Sequence, residues 1–332
     1  MFCQIAQNWS PGPRPVRGWP SRVLPQKKKK KTGLAILPFG VLLLVCRAPL
    51  LSKLRIRRGS AAPADEARRR RQPRMAANFW ASSHSKQLLD PEDVDVVPTA
   101  DRERGITTEE FRLVKIHMSS HIWRLAQQVK VRQRVIATAI TYFRRVYTRK
   151  SMTEYDPRLV APACLYLASK VEESTVQARL LVFYIKKMCA GSDDKYRFEI
   201  KDILEMEMKL LEALDYYLVV YHPYRPLLHL LQDAGVTDLT QFAWGLVNDT
   251  YKMDLILVQP PYMIALACIY IASVLKDKDT TSWFEELHVD MNTVKNISME
   301  ILDFYETYKV DPQRGLSDEK ISPVMNKLPA KA

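Results

Sequence analysis

Glycine is scarce in this chain where nucleotide chemistry would need it. Of 10 glycines in 332 residues, five lie beyond residue 74, at Gly105, Gly191, Gly235, Gly245 and Gly315, and none clusters. A phosphate loop or a dinucleotide fingerprint is therefore excluded, since both need closely spaced glycines to bring backbone against a pyrophosphate. Cysteine is also sparse. Cys3, Cys46, Cys164, Cys189 and Cys268 form no CxxC pair, so the sequence carries neither a disulfide framework nor a thiolate metal site. The three on helical patterns read as buried free thiols in a reducing compartment. No stretch alternates like a strand over useful length, which leaves an all-α class. The apolar run Leu34–Cys46 has 13 residues and contains Pro38 and Gly40, too short to expect a membrane span.

The formal net charge of +13 points to nucleic acid until it is divided along the chain. Residues 1–74 hold 18 of the 50 Lys+Arg and 2 of the 37 Asp+Glu, leaving 32 against 35, a net of −3, for residues 75–332. The globular part is mildly acidic, so direct DNA binding by residues 75–332 is not expected. Residues 1–74, with the runs Lys27–Lys31 and Arg68–Arg71 and no amphipathic period, read as a disordered or artefactual extension; a basic run can also be a nuclear import address. Met75-Ala-Ala-Asn-Phe-Trp reads as a natural start.

One helix organises the rest. Asp156 and Pro157 form a start signal, a capping carboxylate followed by proline at the first helical position. From Leu159 to Ala168 every residue except Tyr166 is small or apolar, the pattern of a helix buried all round. Pro162 should kink it or delay its regular start. The pattern returns 104 positions later. Ala161, Ala163, Cys164, Tyr166, Ala168 and Ser169 reappear as Ala265, Ala267, Cys268, Tyr270, Ala272 and Ser273, and Pro157 as Pro261. The chain therefore holds one helical module twice.

Around the first central helix the spacing predicts four more. A capping box of Thr107 and Glu110 opens a helix through Phe111, Val114, Met118, Ile122, Leu125 and Val129. Others run through Val131–Val146, from a Thr175 cap through Met188, and through Ile200–Leu214. The second module repeats the plan, with a helix ending before Gly235, one from Thr237 to about Met253, the central helix, a short helix near Trp283, and a last helix capped by Asp290. The expected boundaries are residues 75–105 for a short N-terminal helix and linker, 106–218 and 219–310 for the modules, and 311–332 for a polar tail.

Catalytic constellations are absent. His117 and His121 share a helix face, but the segment lacks the glutamate of a zincin, so no metal is expected. Glu172 and Glu173 are adjacent, diverge by about 100° on a helix, and cannot share a proton. No cofactor and no enzymatic activity are expected. What does need explaining is Glu207, on the apolar stripe of its helix, and Lys170, at the end of the buried one. An unpaired charge in either place costs several kcal/mol, so the two are expected to pair. Such a pair is better suited to positioning than to stabilising.

The doubled five-helix module, with Leu167-Ala-Ser-Lys-Val-Glu-Glu173 closing the first central helix, resembles the cyclin fold over about Ile106–Val310. His222-Pro-Tyr-Arg-Pro-Leu227, Val247-Asn-Asp-Thr-Tyr251 and Asn78-Phe-Trp80 are similar to the C-type branch of that family in its plant form. The resemblance implies a nuclear, non-catalytic activator of a cyclin-dependent kinase, of the type found in the Mediator complex acting on RNA polymerase II transcription. By the same resemblance Lys170 and Glu207 face the kinase's mobile helix and press it inward, so that its glutamate meets the lysine holding ATP phosphates. Glu172 and Glu173 would meet activation-segment arginines, or simply form a solvated helix end. Phe79 and Trp80 would dock on the kinase. Trp244, Asn248 and Asp249 would offer a groove to another Mediator kinase-module subunit, or pack the two modules together. Where cell-cycle cyclins carry Met-Arg-Ala-Ile-Leu, this chain has Val114-Lys115-Ile116-His117-Met118, which favours the transcriptional branch. The alternatives are a transcription factor IIB-like adaptor, for which a net of −3 is unfavourable, and a transcriptional cyclin of H, T, K or L type.

Overall fold

The computed structural model describes residues 79–189, 197–308 and 318–328. The basic segment 1–74, the polar loop Gly191–Lys195, and Pro312 and Pro329 of the expected tail lie outside them. The described residues hold no strand.

Before the first module come two 3-10 turns, Phe79–Ala81 and Ser85–Gln87, and two short helices, α1 (Pro91–Val94) and α2 (Thr99–Glu103). Where the sequence suggested a short helix bearing Phe79 and Trp80 there are two 3-10 turns, and the expected linker carries two short helices that start at Pro91 and just after Pro98. The first module then comprises α3 (Thr108–Val129), α4 (Gln133–Val146), α5 (Pro157–Val171), α6 (Ala178–Met188) and α7 (Ile200–Ala213). The second comprises α8 (Tyr224–Asp233), α9 (Thr240–Thr250), the one-turn α10 (Leu255–Val258), α11 (Pro261–Leu275), α12 (Thr281–Glu286) and α13 (Met291–Tyr308).

Local chemistry sets these boundaries. Thr107 and Glu110 form the expected reciprocal cap, with Glu110 N donating to Thr107 Oγ1 at 3.2 Å and Thr107 N to Glu110 Oε2 at 3.0 Å. Asp156 Oδ1 accepts from Arg158 N at 2.8 Å to start α5, and α5 runs through Pro162 without a break. Asp290 accepts from Asn292 N and Thr293 Oγ1 at the start of α13. Thr175 is not the cap of α6; the helix begins later, with Gln177 in extended conformation before it.

Each module is built around its small-residue helix. Helix α5 packs against α3, α4, α6 and α7, and α11 against α8, α9 and α13. The two repeats agree residue by residue. From Pro157 to Lys170 and from Pro261 to Val274 the sequence of buried, half-buried and exposed positions is identical. Ser169 Oγ donates to Tyr166 O at 2.7 Å, and Ser273 Oγ to Tyr270 O at 2.8 Å. Both helices end in a left-handed residue, Glu173 (φ 51°) and Asp277 (φ 49°). The following amides, Ser174 N and Lys278 N, close back on Ser169 O and Ser273 O at 2.8 and 2.9 Å, the six-to-one bond of a Schellman motif.

Two departures from the expected plan have physical causes. The helix expected to run to about Met253 stops at Thr250 because Arg144, from α4, takes the carbonyls of Tyr251 (Nε, 2.9 Å) and Lys252 (Nη2). The chain then turns Asp254 inward before α10. Secondly, the tail is not uniformly polar: Asp318–Met325 form α14, with Pro323 inside it. Ile321, Val324 and Leu328 are buried, α14 packs on α3, and Lys327 Nζ bridges Glu110 (2.7 Å) and Gly105 O (2.8 Å). Three apolar residues at helical spacing provide the stripe that the many polar residues around them hide from inspection.

Candidate functional site

The repeats match until their last turn, and there they differ. Position 170 is lysine in the first module, whereas its counterpart in the second is Val274. Only the first module has an ammonium at this position.

Lys170 Nζ lies 2.8 Å from Glu207 Oε1 and 2.9 Å from Oε2, and 4.3 Å from the centroid of the Tyr166 ring. Glu207 sits among Ile203, Met206, Leu210 and Ala213, the buried stripe of α7. Its side chain is 9% exposed, while that of Lys170 is 41% exposed. The pair expected from the sequence therefore forms, with one correction. Only the carboxylate is buried; the ammonium stands at the surface, because α5 emerges from the core at that residue. Burial works to lower the Lys170 pKa, but the hydrogen bond and the charge of Glu207 outweigh it, so the ammonium is held above its ordinary value.

Exposed apolar side chains accompany Glu207 on α7 and occur on the neighbouring α6. Leu204, Glu207 and Leu211 share one face of α7 by their spacing, with Met208 beside them; Leu204 is 41% and Met208 61% exposed. Phe183, on the adjacent α6, is 59% exposed. A fixed charge pair amid exposed leucine, methionine and phenylalanine has the composition of an interface core. Sequence reasoning left out Leu204 and Met208. With Ile200 and Leu211 they are the apolar residues of α7 outside its buried stripe, which was the available signal.

The two glutamates after Lys170 part company. Glu172 does not stand free: Oε2 takes Arg134 Nε at 2.6 Å and Oε1 accepts from Thr138 Oγ1 at 2.8 Å, with 9% of the side chain exposed. Thr138 spends its proton on the carboxylate, so its oxygen accepts from His222 Nε2–H at 2.8 Å; His222 Nδ1 then accepts from Tyr251 O–H at 2.6 Å. This chain of bonds ties the linker and second module to the end of α5. Burial, then the charges of Arg134 and His84, bring the His222 pKa down to about 3, so the imidazole is neutral as that arrangement requires. Glu173, by contrast, is exposed.

Phe79 is half-buried, edge-on to Tyr221 (5.9 Å) and His84 (5.4 Å), whereas Trp80 is 59% exposed and edge-on to Tyr262 (6.2 Å). Trp244, Asn248 and Asp249 are half-buried, each engaged by a neighbour. Asn248 Oδ1 accepts from Gln133 Nε2 (3.1 Å) and Tyr224 O–H (2.8 Å), which joins α9 to α4 of the first module. Asp249 accepts from Tyr305 O–H and Lys252 Nζ, both at 2.8 Å, and Trp244 lies 4.5 Å from the Tyr224 ring.

His117 and His121 show no metal-site character. Among the described residues no group of three or more His, Cys, Asp or Glu could hold an ion, and no helix is long and apolar enough to cross a membrane. Burial, then Arg124 and His117, lower the His121 pKa to about 3.

A doubled all-helical module carries this charge pair at the end of its first central helix. A model of the cyclin N-terminal domain matches residues 77–219. Cyclin-C1-1 of Oryza sativa subsp. japonica is 89% identical over 258 residues, covering all of that protein and 78% of this chain. Cyclin-C1-1 of Arabidopsis thaliana is 66% identical over 259 residues, 77% of this chain and all of that one, and Cyclin-C of Rattus norvegicus is 42% identical over 268, 77% and 91%. In fold it is similar to a chain from the structure of the CAK complex of Chaetomium thermophilum bound to ATP-gamma-S, with TM-score 0.61 and 17% identity over 76% of this chain and 88% of that one. The chain belongs to the cyclin family. Cyclins are regulatory subunits of kinases, and this chain is a regulator rather than an enzyme.

Proposed function

We propose that this chain activates a cyclin-dependent kinase of the Mediator type and acts through it on RNA polymerase II transcription in the nucleus. The observation that carries the reading is the Lys170–Glu207 pair, locked at 2.8 Å, with exposed Leu204 and Met208 on the same helix as Glu207 and exposed Phe183 on the adjacent α6. A buried carboxylate that pins a half-exposed ammonium gives a rigid face, suited to hold a partner's helix in one position. Glu173 stands beside it for arginines of the kinase, Glu172 fixes the end of α5 from behind, and Phe79 with Trp80 extends the contact along the N-terminal segment. Trp244, Asn248 and Asp249 are, in the same reading, the surface offered to another subunit of that assembly; Trp244→Ala would remove its recruitment and leave kinase pairing intact.

The experiment is co-purification of the full chain with its kinase. Lys170→Glu places two carboxylates together and abolishes kinase recovery and activity, while Lys295→Glu, an exposed position on α13 of the second module, leaves both. Undiminished recovery with Lys170→Glu overturns the assignment. Mass spectrometry of the assembly recovered with the wild-type chain decides the Mediator part, which fails if the kinase arrives without Mediator subunits.

A further inference from the structure

Helix α14 has only 8 residues, Asp318–Met325, and Pro323 stands inside it. A helix of that length is marginal by itself in water. An interior proline weakens it further, because its nitrogen has no N–H to return to the preceding turn. α14 therefore persists through its packing on α3. Ile321, Val324 and Leu328, each 3–4% exposed, supply the apolar part of that contact. Lys327 Nζ supplies the polar part, 2.7 Å from both oxygens of Glu110 and 2.8 Å from Gly105 O. The two side chains of this bridge are 34% and 22% exposed, so it contributes about 1 kcal/mol or less. α14 is a strap held by few contacts.

Its outward side carries Ser322 and Pro323, both exposed. Within residues 75–332 no other serine or threonine is followed by proline; elsewhere the chain has only Ser10-Pro11. The step has two physical consequences. A residue before proline is crowded out of the helical region, so Ser322 turns extended whenever α14 opens. Proline also presents no N–H at the next position. A kinase pocket without an acceptor there takes proline and rejects residues whose N–H would be left unpaired. An extended serine with a free hydroxyl before proline is the substrate such a pocket selects.

We propose that Ser322 is a phosphorylation site for a proline-directed serine/threonine kinase, and that the phosphate releases α14 from α3. Ser322 Oγ forms a bond to the γ-phosphorus of ATP as the bond from that phosphorus to the bridging oxygen breaks. ADP leaves, and the hydroxyl proton passes to the kinase's base. The product carries a charge of about −1.5 to −2 at neutral pH. It stands in the last turn of α14, where Ser322 O accepts from Asn326 N at 3.1 Å. Negative charge at that end of a helix opposes its dipole. The phosphate also competes with Glu110 for Lys327, and doubly charged oxygens are the stronger partner. The proposal does not rest on the Lys170–Glu207 reading.

The test incubates the full chain with ATP, magnesium and a recombinant proline-directed serine/threonine kinase. Peptide mass spectrometry locates the phosphate, and hydrogen exchange follows α14. We expect phosphate on Ser322 and its loss in Pro323→Ala, where the hydroxyl is kept but the proline is gone. Amides of residues 321–328 should exchange at least about tenfold faster once Ser322 is phosphorylated, with α5 unchanged. Lys327→Ala, which removes the bridge, should be phosphorylated about threefold faster, because α14 opens more often. Absence of phosphate from Ser322, labelling that survives Pro323→Ala, or α14 protection unmoved by the phosphate would each overturn the proposal. So would a rate unchanged by Lys327→Ala, because opening of the strap would then not govern access.

Discussion

Lys115 Nζ lies 2.8 Å from Asp254 Oδ2, although 139 positions separate the two residues. Asp254 also holds Arg144, and Lys115 also reaches Asp95 at 3.0 Å. Two cations whose side chains are 1–2% exposed thus meet a carboxylate from the second module and one from the N-terminal segment. Asp254→Asn leaves both cations short of a counter-charge inside the fold, and should cost about 3–5 kcal/mol of stability, read as a lower urea midpoint. An unchanged midpoint would mean that this charge cluster adds nothing to the hold between the modules.

Acid should destabilise the protein before its carboxylates titrate. His84 is lowered to about 4 by burial and by Arg145, and His121 and His222 to about 3, from an ordinary 6.5. All three are neutral when folded and take up protons when unfolded, so their contribution is complete above pH 6.5 and declines as pH falls toward 3 to 4. Each contributes a slope of up to about 1.4 kcal/mol per pH unit in that window. Further down, Asp254 adds to the loss: burial works to raise its pKa, but Arg144 and Lys115 outweigh that and hold it below the ordinary carboxylate value. Melting temperature measured from pH 7.5 to 4.5 should fall, and His222→Gln should flatten the slope by roughly the share of one histidine.

Leu204→Asp and Met208→Asp should separate folding from docking. Both side chains are exposed, so stability should change by less than about 0.5 kcal/mol. Kinase capture should fall by tenfold or more, because each change buries a carboxylate in the interface.

Glu173 is held at φ 51°, where glycine would be free of strain. Glu173→Gly should therefore stabilise the chain by up to about 1 kcal/mol. If Glu173 meets kinase arginines, the same change weakens kinase binding, an opposite movement of two measurements that a solvated helix end would not produce.

Asp101 is fully buried, and its two oxygens accept from Met152 N and Thr153 N, each at 2.9 Å. It fastens the N-terminal segment to the loop before α5. Asp101→Ala orphans two amides and should cost about 2–4 kcal/mol. Hydrogen exchange should show loss of protection across residues 99–106 and 151–155.

Much of the fold could be read from the sequence because helices carry their information within a few residues of one another. The 104-residue repeat, the Thr107–Glu110 box, the Asp156 cap and the 3–4 spacing of Phe111, Val114, Met118 and Ile122 are all local patterns. The α14 helix escaped because Ile321, Val324 and Leu328 lie among polar residues on both sides of Pro323. The one long-range contact obtained in advance, Lys170 with Glu207, was legible because each residue broke the apolar pattern of its own helix and needed the other to justify the break.

Asp254, Arg144, Lys115 and Arg145 gave no such sign. A charged residue near a helix end looks the same in sequence whether it faces water, a partner or an empty polar cavity. Periodicity and capping chemistry act over one or two turns, so the amino-acid order alone determined which segments become helices and which helix of each module is central. Whether a charge is neutralised depends on atoms brought together from different helices, 37 positions apart for Lys170 and Glu207 and 110 for Arg144 and Asp254, so only the folded packing decided that Arg144 is paired, that Arg145 is not, and that Lys170 stands half in solvent with its carboxylate beneath it.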